Sequence, residues 1–334
     1  MAAVTNTDTP FRWGILGVAR INRALLTPLR TGRHQLVAVA SRTAARAEAY
    51  AAEHGIPRAY GDYDALLADP DVDAVYIPVP NSLHAELAIR AAHAGKHVLC
   101  EKPLALSADE IRAIAAAARD TGRVITEAFM YRHHPVVTRT PALIEEGAIG
   151  RVLGVYGVFT FTHDRPHDVR FDPALGGGSL WDVGCYPVSF ARTVLGQRPQ
   201  AVQGTAAWSD RGVDLTFFGQ LQFSDGIVAQ VVSSFESPFR TEMEFIGTDG
   251  RLRVPRPFKP HERDVIELIR GDDVQSIEVA GPALYQGEVD DVAEAAATGR
   301  PPLVTLEDSL DNTETLVALL ASARGGGTVS LPGR

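Results

Sequence analysis

The sequence predicts a doubly wound α/β domain over residues 1–128, followed by a domain built on an antiparallel sheet over residues 129–334. Three observations carry this reading. A chain of 334 residues exceeds the size at which a single hydrophobic core usually stops growing. Its first third alternates short apolar runs with alanine-rich helical segments, the rhythm of a parallel sheet with crossover helices. From about residue 150 the texture changes to alternating strands separated by turn residues.

Taken in order, FRWGILG (11–17), QLVAVAS (35–41), DAVYIPV (73–79), KHVLCE (96–101) and RVITEAF (123–129) read as the strands of the first sheet. The helices between them, 43–55, 81–95 and 107–122, open on Thr43, Asn81 and Ser107 and stop at glycine. GGGSLWDVGCYPV (176–188) reads as a loop entering a helix, since Ser179 and Asp182 have capping-box spacing and the glycines are permissive loop residues. A helix from about residue 180 would place Asp182, Tyr186 and Ser189 on one face, with a kink expected at Pro187. Three hairpins follow, around SDG, TDG and RGDD. Two helices, about 282–298 and 306–323, close the chain without a signal for the domain each packs on.

Composition excludes several classes of function. No apolar run reaches the 18 or more residues of a membrane span, and the first residues show no export signal, so a cytoplasmic protein is expected. A formal charge of -9 removes the basic surface that nucleic-acid binding needs. Two distant cysteines, Cys100 and Cys185, argue against a disulfide framework, and adjacent His133 and His134 make poor geometry for a shared metal, so none is assigned. A small-molecule partner remains.

A dinucleotide site of the Rossmann type wants G-x-G-x-x-G after the first strand. Here Gly17, Ala19 and Asn22 occupy those positions, a degraded match that a tight strand-to-helix turn explains equally well. The end of the second strand says more. An acid there would bond the ribose of NAD, whereas this chain has Ser41 and Arg42, with Arg46 one turn on, which favours NADP. Arginine supplies nearly all the basic residues; the three lysines are Lys96, Lys102 and Lys259. Lys102, after Glu101 at the mouth of the sheet, therefore suggests a compact charge or a transferable proton that arginine cannot provide. Asn81 and His84 follow the preceding strand at the same crevice, with N-capping as the competing explanation for Asn81. A phenol is a poor base at neutral pH. An ammonium about 4 Å away is worth roughly 4 kcal/mol at an effective dielectric near 20, about 3 pKa units, so a Lys102 and Tyr186 pairing would tune the phenol for acid–base work.

WGILGVARI, VPNSLHAE, CEKPLA, EAFMYRHHP, DVRFDPALGGGSLWDVGCYPV and EFIGTDG together resemble the glucose-fructose oxidoreductase / inositol dehydrogenase (Gfo/Idh/MocA) family, in order and over essentially the whole chain. Tyr186 at the position four after the helix aspartate is similar to the branch containing dimeric dihydrodiol dehydrogenase, NADP-dependent D-xylose 1-dehydrogenase and the 3-ketoreductases of deoxysugar pathways. The resemblance implies an N-terminal Rossmann domain and a C-terminal α+β domain with a large, mostly antiparallel, open-faced sheet through which homodimers or homotetramers form. It implies Lys102 and Tyr186 as the catalytic pair, a cis peptide before Pro103, and Asp168, Arg170 and Asp182 around a carbohydrate or polyol. Cofactor contacts would come from Gly17, Ala19, Arg20, Ile21, Ser41, Arg42, Arg46, Pro80, Asn81, His84, Glu101 and Lys102. The expected activity is hydride transfer between NADP and a hydroxyl or carbonyl of a sugar or related polyol, aldose 1-dehydrogenase first. The alternatives are a 3-ketosugar reductase on a nucleotide-linked deoxysugar and, in another class, a non-catalytic NADP-binding regulator.

Overall fold

The computed structural model describes residues 9–165 and 167–333, so most of the N-terminal segment read for an export signal lies outside the described residues. The chain forms two compact units, residues 1–130 with 285–309, and residues 131–284 with 310–334.

In the first unit the parallel strands are β1 (Phe11–Leu16), β2 (His34–Ala40), β3 (Arg58–Tyr60), β4 (Ala74–Ile77), β5 (His97–Glu101) and β6 (Ile125–Ala128). The intervening helices are α1 (Asn22–Leu25), α2 (Ala44–His54), α3 (Tyr63–Leu67), α4 (His84–His93) and α5 (Ala108–Thr121). The strand order β3-β2-β1-β4-β5-β6 is doubly wound and reverses direction between β1 and β4. Local signals explain much of this. Ser107 Oγ accepts from Glu110 N–H while Glu110 accepts from Leu106 N–H, closing α5 at its N-terminus. Asn81 does not cap α4: it opens a short 3-10 turn, Asn81–Leu83, and Leu83 holds the cap position without a side-chain bond.

A division of the sequence at residue 128 leaves the penultimate helix with the second domain. The structure corrects this, because α8 (Gln286–Thr298) covers the first sheet. Val289 and Val292 join Trp13, Leu25, Leu29, Tyr76 and Leu99 in one core, and the indole N–H of Trp13 donates to His34 Nδ1 while His34 Nε2 meets Asp290 at 2.8 Å. Two runs from opposite ends of the sequence thus bury each other's apolar faces.

The second unit holds α6 (Val136–Glu145), β7 (Val152–Thr160), α7 (Cys185–Leu195), β8 (Ala201–Trp208), β9 (Asp214–Gln222), β10 (Val228–Ser234), β11 (Arg240–Gly247), β12 (Arg251–Val254), β13 (Arg263–Arg270), β14 (Asp273–Ala280) and β15 (Val329–Ser330). α9 (Leu306–Gly325) begins in the first unit and continues in the second. The nine-stranded sheet runs β14-β13-β12-β11-β7-β10-β9-β8-β15. Its three hairpins turn where the sequence places them, and the pairing of β7 with β10 is parallel within an otherwise antiparallel sheet. Cys100 and Cys185 are both buried thiols. Among the described residues no helix is long and apolar enough to cross a membrane.

Replacing His34 with alanine would leave the fully buried Trp13 indole N–H without its acceptor. A loss of about 1–3 kcal/mol is expected beyond the packing term, readable by urea unfolding against a His34→Gln control that can accept the bond.

Candidate active site

In the first unit the turn after β1 is set by Gly17, whose φ of 130° excludes a strain-free side chain and where an added Cβ would meet Val79 at 3.1 Å. Asn22 occupies the last position of the degraded glycine motif with a purpose of its own, donating from Nδ2 to Gly17 O at 2.9 Å. Ala19 and Ile21 are half-buried and Arg20 is exposed. At the end of β2, Ser41 is buried and Arg42 exposed, while Arg46 reaches from α2 to donate to Val18 O at 2.7 Å. Arg42 and Arg46 both act on the phenol of Tyr63, which burial pushes up, so the two cations share one side of this turn. Sequence reading missed Tyr63. A bare turn beside two arginines with no acid at the strand end fits a dinucleotide carrying a 2′-phosphate.

The chain leaving β5 is held at three points. Tyr76 donates its hydroxyl to Glu101 Oε1 at 2.6 Å, Pro103 O lies 2.7 Å from His84 Nδ1, and Leu104 N–H donates to Glu127 Oε1 at 3.0 Å. Lys102 lies inside this pinned stretch, and its peptide to Pro103 is cis. Burial, aided by the Lys102 charge, pushes His84 below the ordinary histidine range. Its other nitrogen stands 2.8 Å from Val79 O. Both ring nitrogens of His84, a residue expected among the cofactor contacts, face main-chain carbonyls, and the residue is fully buried, so it ties the loops after β4 and β5 together. Pro80 and Asn81, half-buried, lie in the first of those loops. Lys96 is structural, its ammonium bonded to Asp69 O and Val72 O.

In the second unit Asp168, Arg170 and Asp182 come together. Arg170 Nε donates to Asp182 Oδ2 at 2.6 Å and Nη1 to Asp168 Oδ1 at 3.1 Å, and the charge of Asp182 raises the guanidinium pKa further. Burial alone would raise Asp168, but the Arg170 main-chain N–H and guanidinium outweigh it and hold Asp168 below the usual carboxylate range.

The glycine-rich segment departs from the expected capping box. Leu180–Gly184 forms a π-helical turn that runs into α7. Ser179 has helical φ and ψ and makes no cap bond; its hydroxyl donates instead to Asp214 Oδ2 at 2.7 Å, and Leu180 N–H donates to the same oxygen at 2.7 Å. An aspartate from β9 therefore does the capping that sequence proximity assigned to Ser179. Gly178, at φ 123°, makes room for it, since a Cβ there would stand 2.2 Å from Asp214 Oδ1. Pro187 follows the π-helical turn inside one continuous helix, and because it has no N–H to donate back into that turn, the irregularity falls in the residues before it. Tyr186 is 5% exposed, ringed by Tyr131, Phe159 and Phe258 at centroid distances of 5.8, 5.4 and 5.5 Å. Tyr131 also donates to Ser189 Oγ at 2.8 Å, so Tyr186 and Ser189 do share a face.

A family model described as "Oxidoreductase family, NAD-binding Rossmann fold" matches residues 11–129, and one described as "GFO/IDH/MocA C-terminal domain" matches residues 137–253. The chain belongs to the GFO/IDH/MocA family. Within it, the chain is 42% identical to D-xylose 1-dehydrogenase (NADP(+)) 2 of Haloferax volcanii over 96% of this chain and 99% of the relative. Among solved structures it resembles a 3-ketoreductase from Actinomadura kijaniata in complex with NADP and TDP-benzene, with TM-score 0.89, 33% identity, and 94% and 98% of the two chains covered. That reductase has also been solved with a single tyrosine changed to phenylalanine and with a single lysine changed. An aldose-aldose oxidoreductase from Caulobacter crescentus matches with TM-score 0.88 at 31% identity over 96% and 100%.

Burial raises Asp214 to about 6, so the folded chain keeps a proton that the unfolded chain releases near pH 3.9. Folding binds the extra proton between those values, so this residue makes stability fall as pH rises from about 4 to about 6, by roughly 3 kcal/mol in all. Urea unfolding of Asp214→Asn should show that stretch of the stability profile flattened relative to wild type.

Proposed function

We propose that the protein is an NADP-dependent oxidoreductase that moves a hydride between the cofactor and a hydroxyl or carbonyl of a sugar or related polyol, with aldose oxidation at C1 as the leading activity. The observation that carries this is the second unit's grouping of a phenol with a carboxylate–guanidinium–carboxylate network: Tyr186 follows by one turn the Asp182 that holds Arg170. Ionised acceptors and a fixed guanidinium suit a polyhydroxylated ligand, and a phenol among aromatic rings suits proton exchange with one of its hydroxyls. NADP, when bound, supplies the hydride chemistry. Gly17, Ala19, Arg20 and Ile21 would take its pyrophosphate, Ser41, Arg42 and Arg46 its 2′-phosphate, and Pro80, Asn81 and Glu101 its nicotinamide end. Lys102 of the first unit and Tyr186 of the second are the catalytic residues in this reading, with Tyr186 carrying the proton. The NADP-dependent xylose dehydrogenase and the NADP-bound ketoreductase among its relatives support the cofactor and the substrate class.

A 3-keto group on a nucleotide-linked deoxysugar is the second reading, favoured by the TDP ligand of the Actinomadura enzyme. We place the enzyme in the cytoplasm as a homodimer or homotetramer. Phe218 (57% exposed), Ile246 and Val274 stand out from one face of the nine-stranded sheet, an apolar surface suited to a second copy.

Tyr186→Phe should lower kcat for aldose oxidation by at least about a hundredfold while the NADPH dissociation constant, followed by cofactor fluorescence, changes little; unchanged turnover overturns the assignment. Arg42→Ala with Arg46→Ala should weaken NADPH about tenfold to a hundredfold and leave NADH nearly unaffected. In light scattering, Phe218→Arg should shift the oligomer toward monomer.

A further inference from the structure

Glu288 lies in the first turn of α8, is 1% exposed, and neither of its carboxyl oxygens has a hydrogen-bond partner among the described residues. Buried carboxyl groups normally find donors, so this one calls for an explanation. Its surroundings supply one. Glu101, the last residue of β5, is the charge set against it, and both carboxyls act on the hydroxyls of Tyr76 in β4 and Tyr285 just before α8. The four groups form one acidic cluster immediately before Lys102. Of the other titratable groups near α8, Glu127 of β6 accepts from Leu104 N–H and Ser309 Oγ, His34 lies between Trp13 and Asp290, and the buried thiol of Cys100 in β5 is pushed up by burial and by the Glu101 charge, so it stays neutral. Two interacting carboxyls, one of them out of water, hold a proton between them. Burial pushes Glu288 well above the ordinary range, and the Tyr76 bond favours Glu101 as the carboxylate.

β5 neighbours β4, and β4 borders the reversal point of the sheet, where a dinucleotide lies across the carboxyl ends of the strands. The two states of a nicotinamide differ in charge: the oxidised ring is a cation and the reduced ring is neutral. We propose that the Glu101 and Glu288 pair releases its proton when NADP+ binds and keeps it when NADPH binds, so that the protein reads the redox state of its cofactor through a buried acid. The step is an ionisation: the carboxylic acid of the pair becomes a carboxylate, the proton passes to solvent, and nothing is oxidised or reduced. The inference rests on the cofactor reading above.

Calorimetric titration of the full-length protein with NADP+ and with NADPH tests it, run between pH 5 and 9 in two buffers of different ionisation enthalpy to count protons. NADP+ should release up to one proton more than NADPH. The ratio of their dissociation constants should shift toward NADP+ by up to about tenfold per pH unit within the pair's titration range. Infrared difference spectra should show a protonated-carboxyl band lost with NADP+ and retained with NADPH. Glu288→Gln should abolish the difference in proton count and Tyr186→Phe should keep it, which separates the pair from the phenol. Equal proton counts for the two forms throughout this range overturn the proposal, and that outcome needs no variant. Failure of either form to bind overturns the cofactor reading itself.

Discussion

The chain that leaves β5 is fixed from three directions, and the chemistry assigned to the first unit depends on it. Tyr76 holds the side chain of Glu101, His84 meets the carbonyl of Pro103, and Glu127 receives the amide of Leu104. Each anchor comes from a different element, β4, α4 and β6, and each is buried. A long, flexible side chain such as that of Lys102 gains directional precision only if its main chain cannot shift, and three bonds over four residues provide that. Glu127 is itself held by Ser309, so even the end of the sequence contributes to the placement of a lysine near its beginning.

The second unit uses the same device on a helix start. Exposed helix N-termini are usually satisfied by their own neighbours, whereas here Asp214 reaches from β9 to take both the Ser179 hydroxyl and the Leu180 amide. Because the capping acceptor is tertiary, the turn can adopt π geometry, and it can start with three glycines that would make an isolated helix end unstable. The cost is a carboxylate buried almost out of water, which is why its protonation is coupled to folding.

Much of the fold was legible in the sequence because it is locally encoded. Alternating periodicities separated the two sheets, turn residues fixed the three hairpins, and Ser107 announced α5. Gly17, the bare end of β2 and Lys102 at the mouth of the sheet were likewise visible, as each depends on a neighbour in sequence. Asp214, Glu288 and Tyr63 were not. Each owes its significance to a contact across tens or hundreds of residues, and each sits where an ordinary explanation suffices: an acid at a strand start, an acid in a helix's first turn, an aromatic after a loop. His84 is the complementary case: its two carbonyl neighbours belong to different loops, and only the folded chain brings them to its ring nitrogens.

The return of residues 285–309 to the first unit also sets the order in which the protein can be made. During synthesis the six-stranded sheet is complete in sequence by residue 128, yet the face formed by Trp13, Tyr76 and Leu99 has no lid until Val289 and Val292 leave the ribosome. At about 5–20 residues per second, the interval between those events is of the order of ten seconds or more. Throughout it, a strip of aromatic and aliphatic side chains stays open to solvent and to other nascent chains. For this unit α8 is the element that closes the core, and truncation before it would leave the sheet with a permanently uncovered face.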